Sequence, residues 1–68
     1  MRYFKTKPEF INNDILFFDE TKSKVKRISV GLLGQGDWFD IMNIELFKSN
    51  IANDWVEITK EEAFLQLL

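Results

Sequence analysis

Apolar residues recur at every second position along much of this chain, which is the spacing of β-strands. We predict a strand wherever such a run is bounded by polar or glycine-rich segments. The pattern gives four strands, at residues 2–6, 25–30, 38–42 and 55–58, and the continuous apolar run at 15–18 predicts a fifth, with apolar groups on both faces. Residues 31–37 hold all three glycines and are predicted to form a loop. Residues 43–47 fit either an extension of the fourth strand or a helical turn, and the polar residues 48–54 suggest a turn.

The C-terminus carries the signal of a short helix. Thr59-Lys60-Glu61-Glu62 fits a capping box, in which the Thr59 hydroxyl accepts from the Glu62 amide and the Glu62 carboxylate reaches back to the Thr59 amide. The pattern predicts a helix from Lys60 to about Leu67. Because about two turns of helix are not stable alone in water, we expect this helix to dock on the sheet, with Phe64 as its anchor.

The second and third strands form the best local pairing in the sequence, and two registers are open to them. A loop at Thr21-Lys22-Ser23 places Leu16 opposite Ile28, whereas a two-residue loop places Ile15 opposite Ile28. A slip of one residue exchanges the two faces of the strand. We favour the first register because it collects four apolar side chains on one face, namely Leu16, Phe18, Ile28 and Val30.

These elements predict an α+β fold in a single domain that spans residues 1–68. Its main layer is a small antiparallel β-meander of four to five strands, either open or curled toward an SH3-like barrel, with one short C-terminal helix across it. A chain of 68 residues buries a small core, so its stability should be marginal unless another chain adds to it.

The composition removes most catalytic and metal-binding chemistry. The chain has no cysteine and no histidine, which leaves no disulfide, no thiolate or imidazole zinc ligand and no Ser-His nucleophile. The glycines at 31–36 resemble a phosphate loop, but Asp37 follows them in place of the Lys-Ser/Thr pair that such a loop needs. The nearby carboxylates Asp37 and Asp40 have no predicted cleft in which to act as acid and base. We therefore predict a protein that is not an enzyme and binds no metal or cofactor.

Charge and hydropathy argue against several classes of partner. The net charge of −2 and the pI of about 5.0 give no global attraction to nucleic acid or anionic lipid. No run approaches the roughly 20 apolar residues of a membrane span, and the N-terminus leads into no apolar segment of a secretory signal. We therefore predict a cytoplasmic protein without a membrane partner.

Apolar side chains are more numerous than one covered sheet face can hold. We assign nine of them to the core, namely Leu16, Phe18, Ile28, Val30, Phe39, Ile41, Val56, Ile58 and Phe64. The remainder comprises Ile15, Phe17, Val25, Leu32, Leu33, Trp38, Met42 and Trp55. Because contiguous exposed apolar surface usually marks an interaction site, we predict a protein-interaction module, with a homodimer as one form of it. Its predicted contact residues are on the second sheet face and in the glycine loop, namely Phe17, Leu32, Leu33, Trp38 and Trp55.

Two other functions stay open. The one basic cluster lies around the second hairpin and could contact nucleic acid, with Lys22, Lys24, Lys26 and Arg27 as the contact residues. A small inhibitor or regulator of a host enzyme, presenting acidic side chains, is the other alternative.

Overall fold

An antiparallel sheet of five strands and two helices make up the fold in a computed structural model, which describes residues 1–10, 13–29 and 36–68. The strands are β1 (Arg2–Thr6), β2 (Asp14–Asp19), β3 (Lys24–Ser29), β4 (Trp38–Asp40) and β5 (Trp55–Ile58). The helices are α1 (Ile44–Asp54), between β4 and β5, and α2 (Lys60–Gln66), after β5. The five predicted strands and the C-terminal helix are confirmed, whereas α1 was not predicted as a full helix.

The strands lie in the order β4-β3-β2-β1-β5, and every neighbouring pair is antiparallel. The first four strands follow a meander, as predicted. The chain then crosses through α1 to the far side of the sheet, where β5 pairs with β1. The sheet is open, with β4 and β5 at its two edges, and it does not close into a barrel.

The hairpin of β2 and β3 adopts the register that we did not favour. Ile15 lies opposite Ile28, and Phe18 lies opposite Val25. The turn between the strands fixes this register: the Ser23 amide donates to the Glu20 carbonyl at 3.4 Å, and Ser23 has a positive φ of 52°. The favoured register is therefore wrong. Leu16 and Phe18 share their face with Val25 and not with Ile28.

Helix α1 covers one face of the sheet, called here the α1 face. Its start is capped by Asn43, whose Oδ1 accepts from the Leu46 amide at 3.1 Å. Apolar residues spaced three and four positions apart then face the sheet, namely Ile44, Phe47 and Ile51. They pack with the buried side chains of Phe4, Leu16 and Phe18 in the main core cluster. Of the polar residues between 48 and 54, which suggested a turn, Lys48 is half-buried and the others are exposed.

Helix α2 covers the opposite face, called here the α2 face. The Thr59 hydroxyl accepts from the Glu62 amide at 3.1 Å, which confirms this half of the predicted capping box. The Glu62 carboxylate accepts instead from Lys5 Nζ, at 3.0 Å, and so ties the helix to β1. The fully buried residue of α2 is Ala63, whereas Phe64 is half exposed and lies at the margin of the contact.

The core is therefore built on both faces of the sheet and not on one. Ile15 and Phe18 point to opposite faces of β2, and both are completely buried. The predicted core residues are divided between the two faces, and three of them are exposed, namely Phe39, Val56 and Phe64. Val30, also assigned to the core, lies outside the described residues. The expectation of a single covered face failed because it lacked α1.

Candidate interaction surface at the edge strand β4

The two helices bury several of the apolar side chains that the sequence analysis placed outside the core. Ile15 is fully buried, and Val25 packs against the main core. Phe17 is half-buried on the α2 face, where its ring lies 5.5 Å from the Tyr3 ring and 6.2 Å from the Phe64 ring. These side chains are largely occupied within the chain, so the free apolar surface lies elsewhere.

Trp55, the first residue of β5, is also turned inward. It is half-buried on the α1 face, where it packs against the main core. The Arg27 guanidinium lies over its ring, at 5.2 Å from the centroid. Trp55 was predicted to contact a partner and Val56 to lie in the core, but Trp55 packs inward and Val56 is exposed.

Strand β4 is exposed along its whole length. Trp38 retains 41% of its accessible surface and Phe39 retains 63%. Phe39 lies opposite Val25 on the α1 face, whereas Trp38 and Asp40 lie on the α2 face. Met42, two residues beyond the strand, is 98% exposed. Edge strand and exposed aromatic side chains coincide at β4.

The backbone of β4 also presents hydrogen-bonding groups that have no partner among the described residues. The Ile41 amide donates to the carbonyl of Ser23, the residue before β3, at 2.8 Å. The backbone polar groups of Ile41 therefore point toward the β3 side. Along an antiparallel strand, the backbone N–H and C=O groups of successive residues point alternately to one side and the other. Phe39, two residues before Ile41, therefore also points its N–H and C=O toward β3. Trp38 and Asp40 therefore point theirs outward, to the open edge of the sheet.

Two lysines of β3 lie beside β4 on the α2 face. Lys24 Nζ is 2.9 Å from Asp40 Oδ1, and the Asp40 side chain is 80% exposed. Lys26 Nζ lies over the Trp38 ring, at 5.9 Å from the centroid. Lys26 forms no ion pair with any other described residue. The edge thus carries an exposed carboxylate and an ammonium group without a carboxylate partner.

The basic cluster predicted from the sequence is divided between the two faces. Lys22 and Lys24 line a shallow depression on the side of Trp38. Arg27 is on the α1 face, where its Nε donates to Asp14 Oδ2 at 2.7 Å. Asp14 is buried, so Arg27 is held there as the counter-ion of an internal carboxylate. The structure does not place all four predicted basic residues on one surface.

A second charged cluster lies near the β5 edge and connects β5, β1, the β2–β3 turn and α1. Arg2 Nε and Arg2 Nη2 each lie 3.0 Å from the Glu57 carboxylate, and Arg2 Nη1 lies 3.0 Å from Glu20. Lys48 of α1 reaches Glu20 as well, at 3.4 Å. Hydrogen bonds from Arg2 lower the pKa of Glu57 and of Glu20, and these two carboxylates in turn raise the pKa of Arg2. Every charge in this cluster has an opposite charge beside it, which is typical of a structural network.

Leu32 and Leu33, which were predicted to contact a partner, lie outside the described residues. Among residues 1–10, 13–29 and 36–68, no group of three or more acidic side chains could hold a metal ion. None of the helices in the described part of the chain is long and apolar enough to cross a membrane.

Comparison with known proteins gives no relative for this chain. No family model, no curated protein and no solved structure matches it.

Sequence reasoning missed two members of the surface at β4. Phe39 was assigned to the core because it alternates with Trp38, and Asp40 was considered only as a possible acid or base. The position of β4 at the end of the meander was the available signal, since the last strand of a meander is an edge unless a later strand covers it.

Proposed function

We propose that this chain is a non-enzymatic protein-interaction module that binds its partner along the edge strand β4. The observation that supports the proposal is the coincidence, on one strand, of outward backbone groups with the exposed rings of Trp38 and Phe39. Extended segments bind such edges by adding a strand, where backbone hydrogen bonds give affinity and alternate side chains give specificity. Aromatic residues are enriched at the centres of protein interfaces.

The sheet faces are weaker candidates for the binding surface than the sequence suggested. Helix α1 packs on one face and helix α2 on the other, so neither face is bare. Leu32 and Leu33 precede β4 in the chain and stay in the proposal as predicted contacts.

The proposal is tested by a pair of variants at the two edges. Phe39→Lys places a charge in the middle of β4, and Val56→Lys does the same in β5, where Val56 is 39% exposed. Both variants should keep the circular dichroism spectrum of the wild type. Tagged wild type, Phe39→Lys and Val56→Lys are then compared by affinity purification from the native host and by sizing with light scattering. We expect Phe39→Lys alone to lose the associated protein. Equal association of all three proteins would contradict the proposal.

A second candidate function is contact with single-stranded nucleic acid. It is supported by the depression in which Lys22 and Lys24 lie beside the exposed ring of Trp38, because bases stack on aromatic rings flanked by cations. Binding of a labelled oligonucleotide should weaken as salt is raised and should be lost in the double variant Lys22→Glu/Lys24→Glu. Lys60→Glu is the control, since Lys60 is in α2. Salt-independent or absent binding would contradict this candidate.

An enzyme inhibitor or regulator would be a special case of the interaction module, with an enzyme as the partner. The described acidic residues do not favour mimicry of nucleic acid, because many of them are paired with cations of the same chain, including Asp14, Glu20, Asp40, Glu57 and Glu62. A cytoplasmic location stays a prediction.

A further inference from the structure

The edge strand β4 has a chemical pattern that is complementary to itself. We propose that its partner is a second copy of this chain, joined by antiparallel pairing of β4 with β4 around a two-fold axis at Phe39. The inference rests on the proposed function, since it names the partner of the same edge.

The backbone pattern fixes the register of such a pair. With the axis at Phe39, Trp38 of each copy lies opposite Asp40 of the other. These are the residues whose N–H and C=O groups point outward, so each Trp38–Asp40 pair exchanges both of its hydrogen bonds. The two Phe39 residues then form the central pair without hydrogen bonds, in which side chains approach most closely. A shift of the register by one residue would place an inward-pointing backbone opposite an outward-pointing one and lose these bonds.

Charges match in the same register. On the α2 face, a row of side chains runs across the junction as Lys26, Trp38, Asp40 of the second copy and Lys24 of the second copy. Lys26 and that Asp40 are two strands apart, about 10 Å between backbones, which a lysine and an aspartate side chain can span together. Lys26, which has no carboxylate partner among the described residues of its own chain, thereby gains one. The row occurs twice because of the two-fold axis.

Apolar groups match on the opposite face. The two Phe39 rings meet on the α1 face, where each is 63% exposed in the single chain. Aromatic pairs directly across an antiparallel ladder stabilise the pairing of the strands. The dimer would extend the sheet continuously through both copies and would leave β5 as its edge on each side.

Single-cysteine cross-linking tests the register, and the chain has no native cysteine to interfere. In Phe39→Cys the two thiols meet at a pair without hydrogen bonds, where the Cβ separation suits a disulfide. The matched control is Val56→Cys, an exposed position inside the other edge strand. We expect mild oxidation to convert most of Phe39→Cys to a covalent dimer and to leave Val56→Cys mainly monomeric. Equal cross-linking of both variants, or of neither, would overturn the proposed register.

A second set of measurements, which leaves Phe39 in place, tests the dimer if the cysteine substitution itself disturbs β4. Sedimentation at increasing concentration should show a monomer–dimer equilibrium. Lys26→Glu should weaken it by about tenfold, because the new carboxylate would face Asp40 of the other copy. Lys60→Glu carries the same change of net charge and should leave the equilibrium unchanged. Amide exchange at Trp38 and Asp40 should slow as the dimer forms, while that at Phe39 is protected in the monomer already.

The outcomes separate this inference from the broader proposal. A wild type that stays monomeric at high concentration, or that dimerises without protection of the Trp38 and Asp40 amides, overturns the β4 dimer. The interaction module is then judged separately by whether Phe39→Lys loses a protein of the host that Val56→Lys retains.

Discussion

The two edge strands of this sheet each begin with a tryptophan, but the two side chains differ in how far they are buried. Trp38 begins β4 and keeps 41% of its surface exposed, whereas Trp55 begins β5 and packs against the main core beneath Arg27. Strand β5 follows α1 directly, and the side chain of its first residue, Trp55, packs on the α1 face. Its Glu57 forms an ion pair with Arg2 of β1. Strand β4 leads into α1 as well, after residues 41–43, but all three of its own residues are exposed. The contrast shows that the contacts around an edge strand, more than its residue types, decide which of its aromatic side chains stay exposed.

The largest expected effect tests the inward role of Trp55. Trp55→Ala should lower the free energy of unfolding by about 2–3 kcal/mol, below the range for a fully buried tryptophan because this one is only half-buried. Trp38→Ala, measured at a concentration where the chain is monomeric, should cost less than about 1 kcal/mol. Urea unfolding followed by circular dichroism measures both. Similar losses for the two variants would remove the distinction between the edges.

A smaller effect concerns the residue that leads into β4. A Cβ added to Gly36 would collide with the backbone carbonyl of Arg27 in β3. Gly36→Ala should therefore push the start of β4 away from β3 and cost about 1–2 kcal/mol. Urea unfolding measures the loss, and amide exchange should show weaker protection at Phe39. Unchanged protection at Phe39 would mean that β4 does not depend on this close approach.

The β5 edge should respond more weakly to loss of its ion pairs. Arg2 and Glu57 are both substantially exposed, so solvent screens their attraction. Arg2→Gln should lower the free energy of unfolding by about 0.5–1 kcal/mol. The same unfolding experiment measures it, with Lys60→Gln as a control that removes one positive charge from α2. A loss as large as that of Trp55→Ala would mean that ion pairs hold β5 more firmly than packing does.

Acid should weaken the same network gradually. The pKa values of Glu20 and Glu57 lie below the ordinary value of 4.5, so both carboxylates favour the folded state when they are ionised. Their contribution is complete above pH 4.5 and is lost as the pH falls through their folded pKa values. The melting temperature should fall over this range in the wild type and fall less in Arg2→Gln. Parallel curves for the two proteins would exclude this network as a source of the acid sensitivity.

Local patterns in the sequence predicted much of the fold. Alternating residues and one continuous apolar run located the five strands, and Thr59 marked the start of α2, because these signals depend on neighbours in the chain. The register of β2 and β3 was missed because it depends on the positive φ of Ser23. Helix α1 was missed although Asn43, Ile44, Phe47 and Ile51 carry a cap and a helical repeat, since the asparagines around residue 50 suggested a turn.

The candidate surface was predictable only in part. The exposure of Trp38 followed from its place among the apolar residues that the predicted core left over. The inward position of Trp55 did not, because it depends on α1 and on Arg27, which lies 28 residues earlier in the chain. The number of apolar side chains that a fold can bury depends on how many helices cover its sheet. Only one helix was predicted, so the buried number was underestimated.

Strand β1 lies between β2 and β5, so residues from both ends of the chain meet in its ladders. Tyr3 pairs with Phe17 on one side and with Ile58 on the other. The first contact closes a short loop, whereas the second must bring together residues separated by nearly the whole chain, at a larger entropic cost. The hairpins of β1 to β4 can therefore assemble early, while β5 and α2 join late. Any change that loosens β1 is then felt at both termini together, because β5 has no strand to pair with until the first strand is in place.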